Sequence, residues 1–128
     1  MARATGTFDV KLTQQSIDED SGTTLGRYAM EKQFRGELDA TSKGEMLSAG
    51  TETKGSASYV AQERVSGTLA GRSGSFVLQH TGVMNRGAPG LTITVVPDSG
   101  TGALAGITGT MNIIIEAGKH SYELDYDL

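Results

Sequence analysis

Gly67-Thr68-Leu69-Ala70-Gly71-Arg72-Ser73-Gly74 is echoed 35 residues further on by Gly102-Ala103-Leu104-Ala105-Gly106-Ile107-Thr108-Gly109. Each copy leads into a β-type run, Ser75 to Thr81 and Thr110 to Glu116, and a weaker version, Gly36-Glu37-Leu38-Asp39-Ala40 and then Gly44, precedes both. A strand end, a short glycine turn and a new strand are used again and again. A chain punctuated in this way folds as an all-β domain, because turn signals at intervals of about 8–12 residues suit a sandwich or a barrel.

Alternation supports the same architecture. Ala4, Gly6, Phe8, Val10 and Leu12 alternate with Thr5, Thr7, Asp9 and Lys11, and at the other end Tyr122, Leu124, Tyr126 and Leu128 oppose Glu123, Asp125 and Asp127. A period of two marks a strand buried on one face. Apolar faces at both ends of the chain make the first and last strands core elements, and pairing them closes a barrel without exposed edges. Between them we expect a strand over 25–38 in which Tyr28, Met30, Lys32 and Phe34 share a face, a turn at 41–44, and a strand over 45–53. Further strands fall over 56–69, 72–82 and 91–96, and a hairpin joins 103–107 to 110–116. The polar, acidic stretch 14–22 reads as a loop, or at most one helical turn, and no segment sustains a helical period. The expected fold is a single antiparallel closed barrel of about eight strands, one domain over residues 1–128.

Composition fits that picture and narrows the function. The chain has 128 residues with 18 Gly, no Cys and no Trp. Glycine at roughly double its average usage suits turns and tightly curved strands. Net charge is −4, from 15 acidic against 11 basic residues, with no basic cluster to neutralise a run of phosphates, so a nucleic-acid partner is not expected. Nor is a membrane partner, since no apolar leader or bilayer-length span is present. The absence of cysteine fits a reducing compartment, and the cytoplasm is the expected location. With two histidines and no cysteine, no metal and no cofactor is expected.

Chemistry is expected where polar groups fall on inward faces. His80 shares its face with Phe76 and Leu78; Glu63 shares its face with Tyr59, Ala61 and Val65. If both faces line the interior, a carboxylate and an imidazole meet in apolar surroundings, where each tunes the other. Tyr59, Arg72 and Tyr122 could add hydroxyls and a cation, giving Glu63, His80, Tyr59, Arg72 and Tyr122 as the candidate ligand-binding set. The plainer alternative is that Glu63 pairs with Arg72 or His80 only to fix strand register. Gly100-Thr101-Gly102 followed by Gly106 is one residue out of step with a dinucleotide fingerprint and leads into a β pattern, which argues against phosphate cradling.

The segment Tyr59–Gly82, reading YVAQERVSGTLAGRSGSFVLQHTG, with VVPDSGTGALAG from Val95 and HSYELDY from His120, resembles a family of small uncharacterised bacterial proteins carrying a domain of unknown function. Members of that family look like the allene oxide cyclase barrel, an eight-stranded antiparallel barrel of lipocalin-like outline. The resemblance covers almost the whole chain and implies that fold. It assigns no catalytic residue, because fold does not imply chemistry. Three functions remain open: a binding module for a small apolar or amphipathic ligand, an isomerase or cyclase using Glu63 and His80 as an acid–base pair, and a filled barrel with a structural role. Val95-Val96 and Ile113-Ile114-Ile115 are apolar on consecutive residues, so a homo-oligomer, most simply a dimer with Ile114 on the outer face, is also expected.

Overall fold

The computed structural model describes all residues from Met1 to Leu128. Eight strands follow one another around a closed barrel: β1 Ala2–Asp20, β2 Thr23–Gly36, β3 Leu38–Thr51, β4 Ala57–Leu69, β5 Arg72–Asn85, β6 Ala88–Val95, β7 Thr108–Glu116 and β8 Lys119–Asp127. Every neighbouring pair is antiparallel, and closure comes from β1 against β8, with Ala2 opposite Tyr126 and Thr7 opposite Ser121. The two chain ends therefore pair as their alternation requires.

Turn chemistry fixes the meander. Ser21-Gly22, Ala70-Gly71, Arg86-Gly87 and Ala117-Gly118 each have positive φ at both residues. Two successive left-handed residues make the tight hairpin turn whose twist matches that of the flanking strands. Following paired residues once around the wall leads from Ala4 through Leu124, Met111, Ile93, His80, Ala61, Met46 and Tyr28 to Gln14, a stagger of ten residues. Stagger and strand number together set a barrel's width, and eight strands enclose just enough space for side chains or one small ligand.

One end is sealed. The long connection between β6 and β7 folds across it with a single 3-10 turn at Gly102–Leu104 and drops Leu104 and Ile107 into the core. Its backbone is tied to β5 through Val96 N–H to Val77 O (2.9 Å) and Thr101 N–H to Ser75 O (2.8 Å). Sixteen residues, among them Phe34, Leu38, Leu69, Phe76, Tyr122 and Leu124, form one apolar cluster behind this cap. At about 25 cal/mol per Å² of apolar surface removed from water, that cluster is the main source of stability.

Three expectations are corrected. Residues 14–20 are not a loop: they continue β1 beyond a bulge at Gln15 and pair with Thr23–Arg27 as a solvated ribbon. Residues 41–44 are not a turn but the middle of β3, where Thr41 faces Gln33 and Gly44 faces Met30; the turn lies earlier, around Glu37. Residues 103–107 form no strand. Gly102 and Gly106 both have positive φ, and the buried pair Leu104 and Ile107 is spaced by three, which suits a 3-10 turn. Phe8, Phe34, Phe76, Leu78 and Leu124 are buried, whereas Val10, Tyr28, Tyr59 and Ile113 are half-buried. Ile114 lies on the outer face, 37% exposed.

Candidate functional site

Four polar or charged residues are buried: Lys32, Ser42, Glu63 and His80. All four occupy inward positions of consecutive strands, β2 to β5, next to the apolar cluster on the side away from the cap. His80 pairs across β4–β5 with Ala61, which puts its ring diagonal to Glu63, and Lys32 pairs across β2–β3 with Ser42. Gly44 stands between Lys32 and Glu63, opposite Glu63 on β3, and a Cβ there would collide with the carbonyl oxygen of Gln62. Only glycine allows β3 and β4 to approach this closely, and the missing side chain opens a lane between the ammonium and the carboxylate.

The polar groups meet on one oxygen. Lys32 Nζ lies 2.8 Å and His80 Nε2 2.5 Å from Glu63 Oε2, while the Tyr59 hydroxyl lies 3.2 Å from His80 Nδ1. The side chains of Lys32, Glu63 and His80 are at most 3% exposed. Lys32 Nζ also sits 5.0 Å from the centre of the Phe8 ring and 5.7 Å from that of Phe34, within cation–π range. Tyr59 lies flat against its neighbouring strand because Gly82 has no side chain; a Cβ there would come within 2.6 Å of the ring.

Burial is the largest single influence on Glu63 and pushes its carboxyl group up. The His80 hydrogen bond and the Lys32 charge and hydrogen bond together outweigh it and hold the group at about 2. Glu63 is therefore a carboxylate at any physiological pH. Burial, and secondarily the Glu63 charge, pushes the Tyr59 hydroxyl up, so it stays protonated. With a neutral imidazole the chain is consistent: Tyr59 O–H donates to Nδ1, and Nε2–H donates to Glu63 Oε2. The charges of Lys32 and Glu63 cancel. Two buried oxygens of the cluster, Glu63 Oε1 and Ser42 Oγ, receive no bond from any protein group.

Of the residues singled out from sequence, Glu63, His80 and Tyr59 come together. Arg72 and Tyr122 do not join them. Arg72 is exposed at the start of β5, paired with Leu69 beside the Ala70-Gly71 turn. Tyr122 is buried near the sealed end: its hydroxyl accepts the Leu38 N–H (3.0 Å) and lies 3.0 and 3.1 Å from the carbonyl oxygens of Arg35 and Leu38, pinning the β2–β3 turn. Lys32 takes the place foreseen for Arg72 as the cation on Glu63. Its alternation with Met30 and Phe34 was the signal that it points inward. Ser42 was hidden in the stretch read as a turn. No three His, Cys, Asp or Glu side chains gather in metal-binding geometry anywhere in the chain.

A surface depression of about 540 Å³ lies elsewhere. It is on the outer face of β2–β5, bordered by Arg27, Glu45, Leu47, Val60, Gln62 and Gln79. It touches His80 from the strand's outer side, whereas the imidazole is turned inward to Glu63.

Comparison with known proteins matches this architecture. The crystal structure of a protein of unknown function from the DUF3224 family of Shewanella oneidensis MR-1 superposes with a TM-score of 0.96 at 54% identity, over 100% of this chain and 97% of that one. No curated protein matches the chain. The family model for DUF3224, a protein family of unknown function, matches residues 4–126, and the chain belongs to that family.

Proposed function

We propose that this barrel is a binding module for a small amphipathic ligand, held by its polar end at the Lys32–Glu63–His80–Tyr59 cluster. The observation that carries this reading is the one-sided bonding of Glu63: one carboxylate oxygen takes both Lys32 and His80, and the other, equally buried, has no protein partner. A buried acceptor left bare costs roughly 1–3 kcal/mol, and a cluster serving only as a strut would be better satisfied within itself. The acid–base alternative uses the same side chains but is less well supported. A general acid or base works best with a pKa near the operating pH, and Glu63 is held at about 2.

Titration with the neutral dye Nile red tests the reading. We expect a saturable, blue-shifted emission with one dye per barrel, weakened by Ala61→Phe, whose buried, inward position puts the added ring beside His80, and unchanged by Leu47→Ser on the exposed outer depression. Emission that fails to saturate, or that Ala61→Phe leaves unchanged in a folded protein, would leave the filled structural barrel as the better account.

A further inference from the structure

The barrel wall is not complete on one side. β1 to β5 have 13–19 residues, whereas β6 to β8 have eight or nine. β8 pairs with β1 only over Ala2–Thr7, so from Phe8 onward β1 has no paired strand on that side. β6 and β7 pair only at Ile93–Met111 and Thr94–Thr110, so Ala88–Thr92 is free on its β7 side. A lateral gap therefore separates the upper part of β1 from the upper part of β6, with the tip of the β7–β8 hairpin reaching partway into it.

The side chains around this gap contradict their own parity. Leu12 follows Phe8 and Val10 on the inner face of β1, Leu91 precedes Ile93 on the inner face of β6, and Ile115 follows Met111 and Ile113 on the inner face of β7. Yet Leu12 is 47%, Leu91 45% and Ile115 63% exposed. Single exposed apolar residues need no explanation. Three inward-register ones bordering the same opening form an apolar collar. Behind the collar, the His120 ring packs 5.3 Å from that of Phe8, and Phe8 lies under Lys32 Nζ, which is bonded to Glu63. A run of packed side chains, His120, Phe8 and Lys32, thus lies between the collar and the buried Glu63.

The open positions of the cluster select the chemistry of the occupant. An ionised carboxylate oxygen only accepts hydrogen bonds, so whatever meets Glu63 Oε1 must donate an O–H or N–H. Ser42 Oγ can donate or accept. With the His80 imidazole neutral, Lys32 and Glu63 neutralise one another, so an anionic head finds no unbalanced positive charge and would face a carboxylate oxygen. Extending the binding reading on which it rests, we infer that the gap between β1 and β6 admits an uncharged lipophile headed by a hydroxyl or primary amide, whose donor reaches Glu63 Oε1 and whose tail lies on the collar of Leu12, Leu91 and Ile115. A fatty-acid anion is the wrong ligand.

Displacement of bound Nile red by 1-dodecanol, dodecanamide, dodecanoate and dodecane separates these claims. The alcohol and the amide should displace the dye at concentrations at least about tenfold lower than dodecanoate or dodecane, the factor expected of a hydrogen bond to a charged acceptor. Ser42→Ala should weaken dodecanol severalfold. Leu91→Asp, at an exposed position, should slow dodecanol association while leaving the melting temperature unchanged. Dodecanoate equal to or better than dodecanol overturns the inference but leaves the binding reading intact. Dye displaced by none of the four overturns it as well, since the bare oxygens would then serve water alone. Unaltered association in Leu91→Asp overturns the proposed route. Absence of saturable dye binding overturns the binding reading itself.

Discussion

The sealed and open halves of the barrel share the long strands β1 to β5 and their alternation, yet they are held together by different physics. Toward the cap, Phe34, Leu38, Leu69, Phe76, Leu104, Ile107 and Leu124 are each at most 1% exposed. The interior there is close-packed hydrocarbon, with the Tyr122 hydroxyl tied off by the β2–β3 turn. One layer further along, the inward positions become Lys32, Ser42, Glu63 and His80, and beyond them Tyr28, Met46, Ser48 and Tyr59 are only half-buried. The open half commits its interior to a polar cluster that apolar residues could have filled more stably, because charges withdrawn from water recover their hydration only through good geometry. A barrel needing only to fold has no reason to do this, and the cap half demonstrates that the chain can do otherwise.

The largest effects should expose this difference directly. Phe76→Ala should cost about 3–5 kcal/mol in a urea titration, the toll for a full core aromatic; a loss under about 1 kcal/mol would mean that the sealed half is less packed than its burial indicates. Glu63→Leu should cost about as much, roughly 3–5 kcal/mol, because it strands the buried Lys32 charge. The two halves part company on multiple substitution. Replacing Lys32, Glu63 and His80 together by Met, Leu and Phe should restore wild-type stability or exceed it. No second substitution should rescue Phe76→Ala so fully. A triple variant as unstable as Glu63→Leu would show that the cluster is a net strut, and the contrast between the halves would fail.

Acid should act on the open half first. Glu63 is held at about 2 in the folded protein, below its ordinary value of 4.5. A depressed carboxylate contributes stability that is fully present above the unfolded value and is lost as pH falls toward the folded one. Stability should thus decline between about pH 4.5 and pH 2, by roughly 3 kcal/mol for this group. Circular dichroism of denaturant unfolding across that range measures it, and Glu63→Gln should flatten the slope. Asp125 is also depressed, by its hydrogen bond to Arg3, but that pair is on the surface and contributes little. An unchanged slope in Glu63→Gln would move the acid sensitivity out of the interior.

How much of this was legible depended on where burial imposes a period. Phe8, Phe76 and Leu124 announced the sealed half because one face of each of their strands meets hydrocarbon and the other meets water. Alternation at the two chain ends gave closure for the same reason. The stretch 14–20 concealed its strand because both faces of that ribbon are solvated, so nothing in the sequence alternates. Residues 41–44 looked like a turn because Ser42 and Gly44 are the inner-face residues of a polar layer, and small polar residues between strands normally mark turns. Glu63 and His80 could be recognised from the apolar company they keep. The partner of Glu63 could not, since choosing Lys32 over Arg72 requires the register of three strands and the gap left by Gly44. The collar at Leu12, Leu91 and Ile115 was equally beyond reach, because it arises from unequal strand lengths that only the pairing reveals.

Two tyrosines give the finer comparison. Tyr122→Phe removes a hydroxyl that accepts the Leu38 N–H and bonds backbone carbonyls in the sealed half. It should cost about 1–3 kcal/mol, the penalty of leaving a buried backbone donor unmet.

Tyr59→Phe is the smallest and most discriminating change. Its hydroxyl makes one bond, to His80 Nδ1, at 3.2 Å and in a half-buried setting. The ring stays in place against Gly82, so packing is preserved. Stability should therefore fall by no more than about 1 kcal/mol. The imidazole, however, loses the donor that favours its Nε2–H tautomer, and with it the orientation of the proton directed at Glu63 Oε2. ¹⁵N chemical shifts of His80 report that tautomer. We expect Nδ1 to lose its hydrogen-bonded signature and the two tautomers to become more evenly populated, while the Lys32–Glu63 pair persists. If the His80 shifts do not change, the Glu63 contact alone fixes the ring and Tyr59 is no part of the cluster. If stability falls by as much as in Tyr122→Phe, the open half is packed as tightly as the sealed one, and the distinction between them is one of composition only.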